Sequence, residues 1–224
     1  MSKVLRGFLT FVLFAVVSVL MLLLVSLLTG GALPAGVAVL IGLLLGGGYG
    51  LQAGVLGSYD LDARQGWLEL LVDATWSLPN TLFGFVFGNL IYPWFGDLSR
   101  KDSEGGGWVV YKASGTGTGF GHDVLQTLGT VNLGGAGNHE KVHVLQARIL
   151  GPLYLPFVAL SYVLTFTLQV LWTVTVGGLL KLLGAREKPY FRPPDRSAVS
   201  GFFGWIYYAT PIELWAYSTE HHPA

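Results

Sequence analysis

The sequence predicts a mainly α membrane protein: a helical transmembrane bundle with a small β hairpin or sheet outside the lipid and a helix bearing an H-E-x-x-H motif. Three observations carry that prediction. Hydrophobic residues make up 52% of the chain against 12% charged, and the mean hydropathy is +0.56, too apolar for an ordinary soluble domain. Apolar runs of spanning length lie near the N-terminus and after residue 152, whereas residues 97–138 turn to Gly, Ser, Thr and charge. One stretch, HEKVH at 139–143, specifies a chemistry by residue identity and spacing together.

The first element is the nearly unbroken run of Phe, Leu, Val, Ala and Met over 8–28, long enough as a helix to cross the hydrocarbon core. A cleaved signal peptide is the alternative. The run exceeds a typical signal core, and the surroundings of Leu33-Pro34 make a weak cleavage site, so a retained transmembrane helix is expected. Lys3 and Arg6 precede it and place the N-terminus in the cytoplasm. A second apolar run at 35–56 contains Gly42, Gly46, Gly47, Gly48, Gly50 and Gly54, spaced to let two helix backbones approach closely, and predicts a hairpin with the first. Residues 58–64 (SYDLDAR) form the first polar loop and return the chain to the cytoplasm.

Residues 66–96 are apolar but interrupted by Glu69, Asp73, Pro79 and Asn80, which lipid-facing helix surfaces do not tolerate cheaply. They read as an amphipathic helix followed by a membrane-dipping segment with a re-entrant turn at 77–81, or equally as a kinked span with its polar residues turned inward. β-prone pieces at 108–111 and 124–133 predict the small hairpin or sheet. Thr130-Val131-Asn132-Leu133 is the candidate edge strand for holding an extended substrate, with a plain polar connector as the alternative.

Asn138 is suited to cap a helix over 139–150, which Gly151-Pro152 ends. Residues 153–183 are longer than one crossing requires. Arg148 stands before them, and Lys181, Arg186, Lys188, Arg192 and Arg196 at and beyond their end, so a hairpin or an oblique helix with both ends cytoplasmic is expected. Regions 1–96, 97–138 and 139–224 are read as one integrated domain.

On a helix, positions i and i+4 lie one above the other, so His139 and His143 can reach one metal ion while Glu140 points at a water on it. The motif is half of a zinc site with its general base attached. Cysteine is absent, which excludes disulfides and thiolate ligands and leaves His and carboxylates. The third ligand must come from later in the chain, which offers Glu213, Glu220, His221 and His222. Glu213 is the best of these because Ile212-Glu213-Leu214-Trp215-Ala216-Tyr217 is helix-compatible and sets an aromatic hydroxyl one turn after the carboxylate.

The order H-E-x-x-H, apolar segment, E-x-x-A resembles the integral-membrane zinc metallopeptidases of the CAAX prenyl protease and bacterial heat-shock membrane protease type. These are gluzincins with an E-x-x-A-D third-ligand motif. The resemblance spans 139–217 in organisation and only the two short motifs in identity. It implies a zincin-like H-E-x-x-H helix with His139, His143 and Glu213 on zinc and Glu140 as general base. It departs at Tyr217, where the family has an Asp that orients a zinc-bound histidine. A Tyr there can offer a hydrogen bond or an oxyanion donor, or simply pack, and the orienting role then passes to an acid such as Asp73 or Asp123. The runs TWSLPNT at 75–81 and LGPLY at 150–154 resemble an uncharacterised bacterial membrane-protein family, which implies no mechanism.

Other readings carry less. His122 reads as a surface histidine, and His221 and His222 as solvated at a frayed terminus. The glycine run at 115–121 lacks the Lys-Ser/Thr ending of a phosphate loop. Lys+Arg 13 against Asp+Glu 13 gives zero formal charge, so no basic field argues for nucleic acid. Five histidines are too few for a membrane di-iron oxygenase. What remains is a membrane-embedded zinc metallopeptidase acting on peptide or membrane-protein substrates, in a bacterial inner membrane with its site on the cytoplasmic side. The alternative is a non-catalytic zincin-like membrane protein with a structural metal or none.

Overall fold

The computed structural model describes residues 1–113, 126–134, 137–194 and 199–220. The fold is mostly helical with a small mixed sheet, and it separates into two compact units, Met1–Pro152 and Leu153–Ala224. The division falls after the H-E-x-x-H helix. The β region and that helix therefore belong to the same unit as the N-terminal helices.

In the first unit, α1 (Lys3–Leu28) lies against a helical run formed by α2 (Ala35–Gly42), a π-turn at Leu43–Gly47 and α3 (Gly48–Leu56). The expected glycine packing is present. A Cβ on Gly42 would stand 2.7 Å from Val19 Cα, on Gly46 2.1 Å from Ser18 Oγ, on Gly50 2.9 Å from Phe11 Cα and on Gly54 2.7 Å from Gly7 O. Four glycines one turn apart thus form the surface against which α1 lies. The face α1 buries is Thr10, Phe14, Ala15 and Ser18, while Val16, Leu20, Leu24, Leu27 and Leu28 are exposed.

α4 (Arg64–Ala74) and α5 (Leu78–Ile91, extended by a 3-10 turn at Tyr92–Trp94) meet at an 82° bend. The break falls at 75–77, just before the expected turn, and Pro79 sits in the first turn of α5, where its missing N–H costs nothing. Glu69, Asp73 and Asn80 all turn inward, and Asp73 and Asn80 are fully buried.

The sheet has four strands: β1 (Gly96–Leu98), β2 (Val109–Ala113), β3 (Gln126–Leu128) and β4 (Val131–Leu133), in the order β1-β2-β4-β3. β2 and β4 are parallel and the other two pairs antiparallel, with the short helix α6 (Arg100–Ser103) between β1 and β2. Two expectations change here. β1 has no apolar signature and was not anticipated. The segment 130–133 is not the edge, because β4 is hydrogen-bonded on both sides and buried throughout; the edge beside the H-E-x-x-H helix is β3. Gly84 and Gly88 let α5 lie on this edge, since their Cβ atoms would stand 1.9 Å from Leu128 O and 2.8 Å from Val131 Cγ1.

α7 (Asn138–Leu150) begins one residue earlier than expected: Gly137 is the cap and Asn138 the first helical residue, with no side-chain cap bond. It ends at Gly151, which has φ +54 and faces the Trp76 ring so closely that a Cβ would stand 2.2 Å from it.

The second unit departs from the expected hairpin within 153–183. α8 (Tyr154–Trp172), a π-turn at Thr173–Gly177 and α9 (Gly178–Leu182) form one continuous helical run, about 43 Å long at 1.5 Å per residue. The reversal comes at Gly184 (φ +88), and the following chain returns along α8. Phe191 stacks on Trp172, Gln169 holds the Phe191 backbone and the Phe202 carbonyl, and α10 (Gly201–Tyr208) packs on α8. Thr165 meets Thr210 at 3.2 Å, and Tyr162 meets Glu213 in α11 (Pro211–Glu220).

Among the described residues, three helical stretches are long and apolar enough to cross a membrane: Lys3–Leu28, Ala35–Leu56 and one within Asn138–Leu182; the bent α4–α5 pair would make a fourth.

Candidate metal centre

The first turns of α7 carry His139, Glu140 and His143, all buried. The i, i+4 spacing puts the imidazoles on one face in an edge-to-face pair, centroids 4.8 Å apart, and their Nε2 atoms come within 3.1 Å of each other. Two nitrogens bound tetrahedrally to one zinc at about 2.0–2.1 Å would be about 3.3 Å apart, so the pair fits one shared ion. His143 Nδ1 lies 2.8 Å from Gln146 Oε1. With the proton on Nδ1 donated to that amide oxygen, the Nε2 of His143 would be bare on the side facing His139, the tautomer a metal ligand needs.

Glu140, one step round the helix, is held from the sheet. Thr127 on the edge strand β3 donates its hydroxyl to Glu140 Oε2, and Asn132 on β4 donates to Thr127 Oγ1 at 3.0 Å. The Asn132 amide fixes the hydroxyl's direction, and the hydroxyl fixes the carboxylate. Asp73, considered as the orienting acid for a zinc-bound histidine, is committed elsewhere. It takes the Arg148 guanidinium fork at 2.9 and 2.8 Å and a bond from the Tyr59 hydroxyl at 2.9 Å. The polar group on a motif histidine is instead Gln146.

Glu213 is buried in the second unit, in the first turn of α11 after Thr210-Pro211. Thr-Pro-Ile-Glu reads as a capping box, yet the Thr210 hydroxyl donates to Ile206 O at 2.6 Å. Tyr162 on α8 points its hydroxyl at Glu213 Oε1, 3.4 Å away. Tyr217, one turn after Glu213, is half-buried in an aromatic group, with its ring 5.5 Å from Tyr208 and a hydrogen bond with Tyr207. Burial, then the Glu213 carboxylate and Tyr217, push the Tyr207 phenol above its ordinary range.

The structure thus brings His139, Glu140 and His143 together in the first unit and sets Glu213 and Tyr217 in the second. Glu220 closes α11. His122, Asp123, His221 and His222 lie outside the described residues. The sequence reading missed Thr127, Gln146, Tyr162 and Tyr207. Gln146 was findable, because i+3 from His143 lies on the same helix face. Thr127 had no local signal, since only strand pairing brings it to Glu140. Comparison with protein-family models, with curated proteins and with solved structures finds no match for this chain.

Proposed function

We propose that this chain is a membrane-embedded zinc metallopeptidase, with His139, His143 and Glu213 as ligands and Glu140 as general base. The observation that carries the reading is the imidazole pair converging at 3.1 Å beside a carboxylate that β3 holds in place. Two imidazoles and a carboxylate, with no thiolate in the chain, make the donor set of a hydrolytic zinc site with an open position. Glu213 is proposed for the third place because it is a buried carboxylate in the Glu-x-x-Ala segment of α11.

Zinc held by His139, His143 and Glu213 would supply a Lewis acid for the scissile carbonyl and for a water. The Glu140 carboxylate, aimed by the Thr127 hydroxyl, would act as the general base that takes a proton from the attacking water and returns it to the departing amine. Gln146 holds His143 in the ligating tautomer.

Placement in a lipid bilayer is supported by the inside-out character of the helices. α8 buries Ser161, Thr165 and Gln169 at i, i+4, i+8 and exposes Leu160, Val163, Leu164, Phe166, Leu168 and Leu171, the reverse of a helix on a water-soluble core. One observation favours the non-catalytic alternative: the position after Ala216 holds Tyr217, packed among tyrosines, where the gluzincins have an acid.

The two readings separate on Glu140→Gln. In a peptidase the variant keeps zinc and loses hydrolysis of a peptide and membrane-protein library, while His143→Ala loses both. Zinc-loaded wild type that cleaves nothing, together with a Glu140→Gln strain indistinguishable from wild type, would establish the non-catalytic reading.

A further inference from the structure

The bend between α4 and α5 gathers polar side chains for which neither lipid packing nor the proposed hydrolysis gives a use. All of them point at the end of α7. Trp76 Nε1 donates to Ile149 O at 3.2 Å, and Ser77 Oγ to Ala147 O at 3.0 Å. Asn80 Nδ2 donates to Gly151 O at 2.7 Å and to Ala147 O at 3.2 Å. Arg148, in the last turn of α7, forks onto Asp73 at the end of α4, reaches Glu69 at 3.4 Å and donates to Gly107 O at 2.7 Å. Tyr59 and, behind it, Tyr49 at 3.0 Å brace Asp73 from the far side.

A helix C-terminus leaves carbonyls without intrahelical partners, and a buried one must find donors elsewhere. The donors here come from one elbow. They grip three carbonyls and one side chain, enough to fix both the axial position of α7 and its rotation. Rotation matters most for a metal motif. With a side-chain tip about 6 Å from the axis, a turn of about 20° moves it by ~2 Å, the length of a zinc–nitrogen bond.

We propose that the α4–α5 elbow is a positioning socket for the H-E-x-x-H helix, with Asp73, Ser77 and Asn80 setting, through Arg148 and the α7 carbonyls, where His139, Glu140 and His143 stand. Its bearing on metal binding rests on the zinc reading; its effect on α7 does not. The socket explains the TWSLPN run and Gly151 together. The bend exists to present these donors, and Gly151 is the residue that lets Trp76 lie against the helix end.

The test uses the full chain in lipid nanodiscs, with two readouts: amide exchange over residues 141–146, and Co²⁺ titration followed by its visible spectrum. Asn80→Ala and Arg148→Lys should each speed exchange in α7 about 10-fold and weaken Co²⁺ binding about 10- to 100-fold with an altered spectrum, the scale of lost outer partners at metal sites. Adding Asp73→Glu to Arg148→Lys lengthens the carboxylate as the cation loses its fork, and should recover most of both losses. Arg6→Gln removes the ion pairs to Asp60 and Asp62 at the start of α1 and should leave both readouts unchanged. Wild-type exchange and Co²⁺ affinity in both socket variants would overturn the proposal, as would losses that the Arg6→Gln control reproduces. A wild type that takes up no Co²⁺ would remove the zinc reading, and α7 exchange alone would then decide the socket.

Discussion

In the proposed zinc site, Glu140 and His143 would ask opposite things of their neighbours. A general base needs its carboxylate aimed but still basic, and one hydroxyl from Thr127 does this without neutralising it. A metal-binding imidazole needs its distal nitrogen occupied by an acceptor, which Gln146 provides. Thr127→Val, which keeps the shape and removes the hydroxyl, is therefore predicted to lower peptide turnover about 10-fold with zinc content unchanged. Gln146→Leu should instead weaken zinc affinity about 10- to 100-fold, measured by chelator competition. Single residues also set the acid limb of stability. The N-terminal ammonium, with Arg6, holds the Asp62 carboxyl below its ordinary range, and Lys3 does the same for Glu104. Carboxylates lowered in the folded state contribute stability above their unfolded pKa and lose it as the pH falls through the folded one. Both are exposed, so the effect is small, and Arg6→Gln should flatten the pH dependence of melting only below the ordinary carboxylate range.

Among the elements, the helix pair at the N-terminus was legible because its rule is local: glycines at 42, 46, 50 and 54 can only mean close backbone approach on a helix, and α1 is the partner they meet. Gly50→Leu, with backbone and Phe14 side-chain atoms 2.9–3.1 Å from the new Cβ, should separate the pair and destabilise the fold by about 1–3 kcal/mol or more, read as a lower melting temperature in lipid. The H-E-x-x-H helix was legible for the same reason, to within one residue of its start. Its surroundings were not. Which strand forms the sheet edge depends on β2 and β4 pairing in parallel across the intervening chain, and no local pattern encodes that. Charge at both ends of 153–183 suggested a hairpin or an oblique helix; the stretch is one continuous helical run, and the reversal comes later, at Gly184. Buried Gln169 then satisfies the returning backbone that a second helix would have satisfied internally. Asp73 and Asn80 stood out as costly polar residues, yet their partners are carbonyls and an arginine some 67–75 residues away, so their use could not be read in advance.

At the scale of the whole molecule, the proposed function requires that residues far apart in sequence work on one side of a bilayer. That requirement predicts that Lys141→Cys and Ser218→Cys are labelled by a membrane-impermeant thiol reagent from the same side. Labelling from opposite sides would rule out Glu213 as the partner of the two histidines. The most direct measurement is the metal content of the chain purified in lipid, for wild type, His143→Ala and Glu213→Ala. One zinc per chain in wild type, lost in His143→Ala and lost or weakened at least about 10-fold in Glu213→Ala, is the predicted result. No zinc in wild type, or full occupancy in Glu213→Ala with wild-type affinity, would contradict it.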